Sequence, residues 1–165
     1  MPLDAGAIYG GLRSSGGDGG LLAGLVRGID HVGVVVSALD DAGAGWSALL
    51  GLPLRDREDV AAQLTSAAFV RMPDGGASFE LVCPMPGNAG LDRYLARRGD
   101  GLHHVAFAVS DIAAALSRLE GAGIELIDRT ARQGAGGHLV AFLHPRALGG
   151  TLVELVERKR NRDKE

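Results

Sequence analysis

The sequence predicts an α+β protein made of two tandem βαβββ modules. The 165-residue chain carries one pattern twice: residues 29–36 (IDHVGVVV) correspond to residues 102–109 (LHHVAFAV), and residues 79–82 (FELV) correspond to residues 153–156 (VELV). Each copy opens on an apolar run that contains a histidine and closes on one that contains a glutamate. Repetition of this kind indicates a duplicated structural unit.

The first module is predicted to cover residues 28–83, in the order strand, helix, strand, strand, strand. The opening apolar run is the first strand, and Ser37 is a candidate N-cap for the amphipathic helix that follows. Gly51 is the candidate end of that helix, because glycine readily adopts the left-handed conformation of helix C-termini. The remaining strands are predicted at residues 52–59, 65–72 and 77–83, with a turn at residues 73–76.

The second module is predicted at residues 101–157 and repeats that order. Asp111 is a candidate N-cap of its helix, which is expected to end near Gly121. Residues 84–100 join the modules and are predicted to include a short helix. The strands after the second helix are predicted at residues 124–128, 138–143 and 151–157.

The ends of the chain and its composition limit the possible functions. Residues 1–27 are rich in glycine and serine, which predicts a flexible leader, and residues 158–165 form a charged tail. The net charge of −3 at pH 7 gives no reason to expect binding to nucleic acid or to a membrane surface. Cys83 is the only cysteine, so no internal disulfide can form, which fits a reducing cytoplasm.

Four polar residues at matched positions of the two copies are the candidate metal ligands: His31, Glu80, His104 and Glu154. Alternate residues of a strand share a face, so His31 shares its face with Gly33, while bulky valines point the other way. The glutamates alternate with apolar residues in the same manner, and all four groups can therefore face one side of a curved sheet. Two imidazoles and two carboxylates suit a divalent ion such as cobalt, nickel, manganese, iron or zinc.

Seven short motifs carry a resemblance to a known family. They are residues 29–33 (IDHVG), 49–52 (LLGL), 94–99 (YLARRG), 101–107 (GLHHVAF), 134–137 (GAGG), 140–146 (VAFLHPR) and 149–155 (GGTLVEL). Through them the chain resembles the methylmalonyl-CoA epimerases of the vicinal oxygen chelate superfamily, which includes glyoxalase I. The similarity runs from about residue 28 to residue 157.

This resemblance implies a glyoxalase-like fold, in which the paired modules form a U-shaped mixed sheet around one central metal site. It implies the four candidate ligands, one cobalt ion per chain with zinc, nickel or manganese as alternatives, and commonly a homodimer. The implied reaction interconverts the C2 epimers of methylmalonyl-CoA or of a close 2-substituted malonyl thioester, with Glu80 and Glu154 as candidate acid/base residues. The candidate residues for binding the acyl-CoA substrate are Gly136, Gly137, His144 and Arg146.

One position departs from the family's pattern. Epimerases of this group often carry a glutamate, proposed as a catalytic base, where this chain has Ala67. An alanine cannot transfer a proton, so either a carboxylate such as Glu80 takes that role or the reaction differs. The alternatives are a glyoxalase-like isomerase or lyase on another enolisable substrate, and a non-catalytic binding protein of the bleomycin-resistance type. A binding protein needs no metal ligands, so the four candidate ligands favour an enzyme.

Overall fold

The computed structural model describes residues 19–159, so the predicted leader up to residue 18 and the predicted tail from residue 160 lie outside the described residues. Its strands are β1 (Val26–Val35), β2 (Leu54–Val60), β3 (Thr65–Val70), β4 (Ser78–Pro84), β5 (Gly101–Val109), β6 (Arg132–Gln133), β7 (Leu139–Leu143) and β8 (Val153–Glu157). Its α-helices are α1 (Leu39–Leu50), α2 (Ala89–Arg98) and α3 (Ile112–Gly121). None of the described helices is long and apolar enough to cross a membrane.

The chain divides into two compact units. The first unit contains Ile29–His104 and Gly134–Gly137, and the second contains the other described residues. In the first unit the strand order is β2-β3-β4-β1, with the first residues of β5 beside β1. Apolar side chains of this sheet pack with the start of α1 in one core, made of Val34, Val36, Leu39, Ala68, Val70 and Leu81.

In the second unit the strand order is β5-β8-β7-β6, where β5 is represented by its later residues. One face of this sheet packs against α3, whose Ile112, Leu116 and Leu119 are buried at the predicted helical spacing. The described end of the leader forms a turn stabilised by the Ala23 N–H bond to the Gly20 carbonyl, and its leucines pack against the same core.

Strand register supports the duplication predicted from the sequence. In the first unit β1 runs parallel to β4 and Gly33 lies opposite Glu80. In the second unit β5 runs parallel to β8 and Ala106 lies opposite Glu154. In each copy, therefore, the residue two positions after the histidine faces the glutamate. The two units repeat one local architecture, β-α-β-β-β, in which the glutamate strand lies beside the histidine strand.

Two local predictions are wrong. Ser37 does not cap α1: the N-cap position is Ala38 and no side chain accepts a hydrogen bond there. The strand predicted at residues 124–128 is reduced to a single bridge between Leu126 and Leu143. The reason is that the Asp128 carboxylate accepts the Phe142 N–H at 2.9 Å, so a side chain takes the place of a backbone partner.

Alanine substitution at the two interior glycines of α1 is expected to change the stability of the protein in opposite directions. A Cβ added at Gly45 would meet no atom within 4 Å, whereas one added at Gly43 would lie 2.7 Å from Leu54 Cδ2. We expect Gly45→Ala to raise the free energy of unfolding by about 0.5–1 kcal/mol, because alanine loses less backbone entropy in a helix. Gly43→Ala should lower it. Urea titration of both variants tests this, and equal stability of the two would contradict it.

Candidate metal centre

Three of the four predicted ligands, His31, Glu80 and His104, lie close together in the first unit. His31 Nε2 lies 3.1 Å from Glu80 Oε2 and 3.1 Å from His104 Nε2. His104 Nε2 lies 3.7 Å from Glu80 Oε2. All three residues are buried, and one ligand atom from each lies within 4.8 Å of the other two. Two imidazoles and a carboxylate at these distances can bind one divalent ion.

Three strands supply these side chains. β1 lies between β4 and β5 and carries His31, while β4 carries Glu80 and β5 carries His104. The apolar residues that alternate with these groups, such as Val34 and Leu81, belong to the core on the other face of the sheet. The alternation that buries the core therefore directs the three polar groups to one face.

Gly33 makes room for the His104 ring. A Cβ built on Gly33 would lie 2.6 Å from His104 Nε2 and closer to two other atoms of that ring. A side chain at this position would force the imidazole to move. The ring of the second histidine therefore occupies the space that the missing side chain of Gly33 leaves.

Asp30 fixes the orientation of the His31 ring. Its buried carboxylate lies 2.9 Å from His31 Nδ1. An ionised carboxylate only accepts hydrogen bonds, so Nδ1 carries the hydrogen that Asp30 accepts, and Nε2 is the ring nitrogen that faces Glu80 and His104. A carboxylate behind a ligand histidine is the arrangement that orients the ring and raises its basicity in metal sites.

His103 takes the corresponding position behind His104. The Nδ1 atoms of the two rings lie 3.0 Å apart, and the His103 ring packs edge-on against Tyr94. Burial lowers the pKa of His104 well below its usual value, and the neighbouring imidazoles of His31 and His103 lower it further. Burial also lowers the pKa of His103, against a smaller opposing effect of Glu80. Neutral imidazoles are the form that binds metal.

The geometry fits a divalent metal ion. Nitrogen and oxygen donors bound to one ion at about 2.0–2.2 Å lie about 2.9–3.5 Å from each other. Two of the three donor separations have this length, and the third, between His104 and Glu80, is longer by a small margin.

The other predicted site residues are divided between the two units. Glu154 is buried on β8 in the second unit, and its role as the fourth ligand stays a prediction. Gly136 and Gly137 belong to the first unit, and both have positive φ angles, 66° and 68°. His144 and Arg146 belong to the second unit, where His144 Nδ1 accepts the Arg146 N–H. A common acyl-CoA site for these residues also stays a prediction.

Sequence reasoning did not select Asp30 or His103, although a signal was present. Each is the polar residue that directly precedes a candidate ligand histidine in an otherwise apolar strand. A polar residue buried next to a candidate ligand is a natural partner for the second ring nitrogen. The repetition of this polar-histidine pair in both copies could have identified both residues.

Replacing Asp30 by asparagine should weaken metal binding without removing a ligand. The amide oxygen can still accept the His31 Nδ1 hydrogen, but the negative charge that raises the basicity of the ring is lost. We expect the dissociation constant for Co²⁺ to rise about 10–100-fold. Isothermal titration calorimetry measures this change, with Asp92→Asn on the surface as the control. An unchanged affinity would show that Asp30 does not support the site.

Similar sequences come from one superfamily. A sequence model of the glyoxalase/bleomycin resistance protein/dioxygenase superfamily matches residues 30–142. The uncharacterized protein YqjC of Bacillus subtilis is 37% identical to this chain over 131 residues, which are 79% of this chain and 92% of YqjC.

Similar solved structures include methylmalonyl-CoA epimerases. The enzyme of Mycobacterium tuberculosis is 35% identical, with a TM-score of 0.79 over 84% of this chain and 92% of that one. A variant of the Streptomyces coelicolor enzyme, in complex with 2-nitronate-propionyl-CoA, is 28% identical, with a TM-score of 0.75 over 82% and 99% of the two chains. The α+β, glyoxalase-like fold predicted from the sequence is confirmed.

Proposed function

Because the chain belongs to the glyoxalase/bleomycin resistance protein/dioxygenase superfamily, we propose that it is a metal-dependent epimerase of methylmalonyl-CoA. The enzyme is an isomerase that interconverts the two C2 epimers of its substrate. The observation that carries the proposal is the convergence of His31, Glu80 and His104 on one buried face, with their facing donor atoms 3.1–3.7 Å apart.

The substrate explains why such a site is needed. The C2 hydrogen of methylmalonyl-CoA lies between a thioester carbonyl and a carboxylate, and its removal as a proton leaves an enolate with negative charge on oxygen. Epimerisation then requires a proton to return to the opposite face of planar C2. The protein must therefore stabilise charge on oxygen and place an acid/base group on each face.

His31, Glu80 and His104 would hold the ion, and we propose cobalt, with zinc, nickel and manganese as alternatives. A bound divalent ion would supply Lewis acidity toward the thioester oxygen and the carboxylate of the substrate. Asp30 and His103 keep the two imidazoles in orientation for this task. Glu154 remains our candidate for a fourth ligand.

Other residues of the chain would bind and convert the substrate. Gly136 and Gly137 have positive φ angles and no Cβ, so the backbone of this segment can approach the acyl group closely. We propose that His144 and the exposed Arg146 contact the CoA portion, with the arginine bound to a phosphate. Glu80 and Glu154 are the acid/base candidates selected from the sequence. A homodimer and a cytoplasmic location are also part of this proposal.

Deuterium exchange at C2 tests the function. The Co²⁺-loaded protein is incubated with a single epimer of methylmalonyl-CoA in D₂O, and C2 is followed by NMR. We expect loss of the C2 proton signal together with appearance of the other epimer. Chelator-treated protein is the control and should be slower by orders of magnitude.

The remaining outcomes separate the alternatives. Exchange and inversion of another acyl thioester, with no reaction of methylmalonyl-CoA, would move the assignment to a different 2-substituted malonyl substrate. Tight binding of small molecules without any exchange would indicate a binding protein of the bleomycin-resistance type. Either result would contradict the proposed activity.

A further inference from the structure

β2 contains an irregularity that decides which of its side chains faces the candidate site. Arg55 pairs with Phe69 on β3. The next pair is Glu58 with Ala67, after a shift of register. Uninterrupted antiparallel pairing would instead place Arg57 opposite Ala67. The extra residue, a β-bulge, therefore exchanges a cationic side chain for a carboxylate at this position.

The backbone of the bulge adopts a conformation that residues with a Cβ avoid. Asp56 has a φ angle of 53°, in the left-handed region. Its carboxylate is paired with Arg71, at 2.9 Å from the guanidinium. Backbone strain of this type is frequent near functional sites, where the surrounding structure enforces it.

Glu58 points to the same face of the sheet as Glu80. Residues directly opposite each other on neighbouring strands share a face, and so do alternate residues along one strand. Glu58 lies opposite Ala67, and Phe69, two positions further along β3, lies opposite Glu80. The two carboxylates therefore lie on one side of the first unit's sheet, the side of the candidate metal centre.

The Glu58 carboxylate also reaches the glycine segment. The Gly136 N–H donates to Glu58 Oε2 at 2.7 Å. Gly136 is one of the residues proposed to bind the acyl group, so this carboxylate lies where the reacting part of the substrate is expected. Glu58 is exposed, which allows its proton to exchange with water.

We infer that Glu58 is a catalytic acid/base residue of this enzyme and supplies, from the neighbouring strand, the proton transfer that Ala67 cannot perform. The inference rests on the proposed function. It also explains the β-bulge in β2, which turns the Glu58 carboxylate, rather than Arg57, toward the substrate.

Each bond that breaks or forms in this proton transfer is accounted for by a proton and an electron pair. Glu58 takes the C2 hydrogen as a proton: the C2–H bond breaks, its electron pair moves into the thioester as an enolate, and an O–H bond forms on Glu58. A protonated acid on the opposite face gives its proton to C2, and the electron pair returns to form the new C–H bond. One carboxyl group gains a proton and another loses one, and exchange with water restores both.

The test compares Glu58→Gln with Asp59→Asn and Glu58→Asp. Glutamine keeps an acceptor for the Gly136 N–H but cannot take up a proton. Asp59 is the control because it lies on the opposite face of the sheet from Glu58, where it is paired with Ser66. We expect Glu58→Gln to lower kcat for epimerisation about 10²–10⁴-fold with little change in KM. One epimer should still exchange its C2 hydrogen in D₂O without inversion. Asp59→Asn should behave as wild type, and Glu58→Asp should retain inversion at a reduced kcat.

Other outcomes overturn the inference. Full inversion by Glu58→Gln, with an active wild type, would exclude the role of Glu58 and leave the proposed function in place. Equal loss of exchange for both epimers with a raised KM would show that Glu58 only positions the glycine segment. A wild-type enzyme that neither exchanges nor inverts the substrate would end the proposed function, and the inference with it.

Discussion

Replacing His104 by alanine should remove the bound ion and the epimerase activity together. The imidazole is buried, its pKa is lowered well below the usual value, and its Nε2 lies 3.1 Å from that of His31. It is therefore a neutral donor placed toward the other two ligands. Without it, His31 and Glu80 remain as two donors, which are too few to bind a divalent ion tightly. We expect the metal content to fall from about one ion per chain to near zero.

Elemental analysis of Co²⁺-supplemented, desalted protein measures the loss, and the D₂O exchange assay measures the activity. The matched control is His138→Ala, since His138 lies in the second unit and accepts the Lys159 N–H. It should keep both ion and activity. A His104→Ala protein that retains a full equivalent of cobalt would show that the ion, if present, is held elsewhere.

Replacing Gly33 by alanine should have nearly as large an effect, although it removes no ligand. The new methyl group would overlap the His104 ring, with its carbon 2.6 Å from Nε2. Two buried groups cannot share that volume, so the ring must turn away from His31 and Glu80. We expect the affinity for Co²⁺ to fall at least tenfold, as for the loss of an orienting group, and the activity to fall in parallel.

Calorimetric titration with Co²⁺ tests the effect of Gly33→Ala, and Gly45→Ala on α1 is its control because a methyl group there meets nothing. Thermal unfolding of the variant separates a local displacement from a loss of fold. A folded Gly33→Ala protein that binds cobalt as tightly as wild type would contradict the position of the His104 ring.

The hydrophobic periodicity predicted most of the fold because the core is regular. The alternation of β1 and β4 gave both the strands and the faces that their side chains take, and α2 and α3 were also predicted. What failed depends on interactions that the sequence does not display. The Asp128 side chain takes the place of a backbone partner, and α1 begins at Leu39 after an N-cap residue, Ala38, whose side chain forms no cap.

The candidate site was predicted in part. Duplication selected His31, Glu80 and His104, and the structure brings these three together. It could not reveal the contact of Glu58 with Gly136, because the bulge at β2 shifts the register by one residue and reverses the faces expected from alternation. Register shifts of this kind depend on tertiary structure rather than on local pattern.

X-ray absorption spectroscopy of the wild-type protein after Co²⁺ loading and desalting tests the central claim most directly. We predict one cobalt ion per chain, with nitrogen and oxygen donors at about 2.0–2.2 Å and the scattering signature of two imidazoles. Desalted protein without cobalt, or cobalt bound without histidine in its coordination sphere, would contradict a metal centre formed by His31, Glu80 and His104.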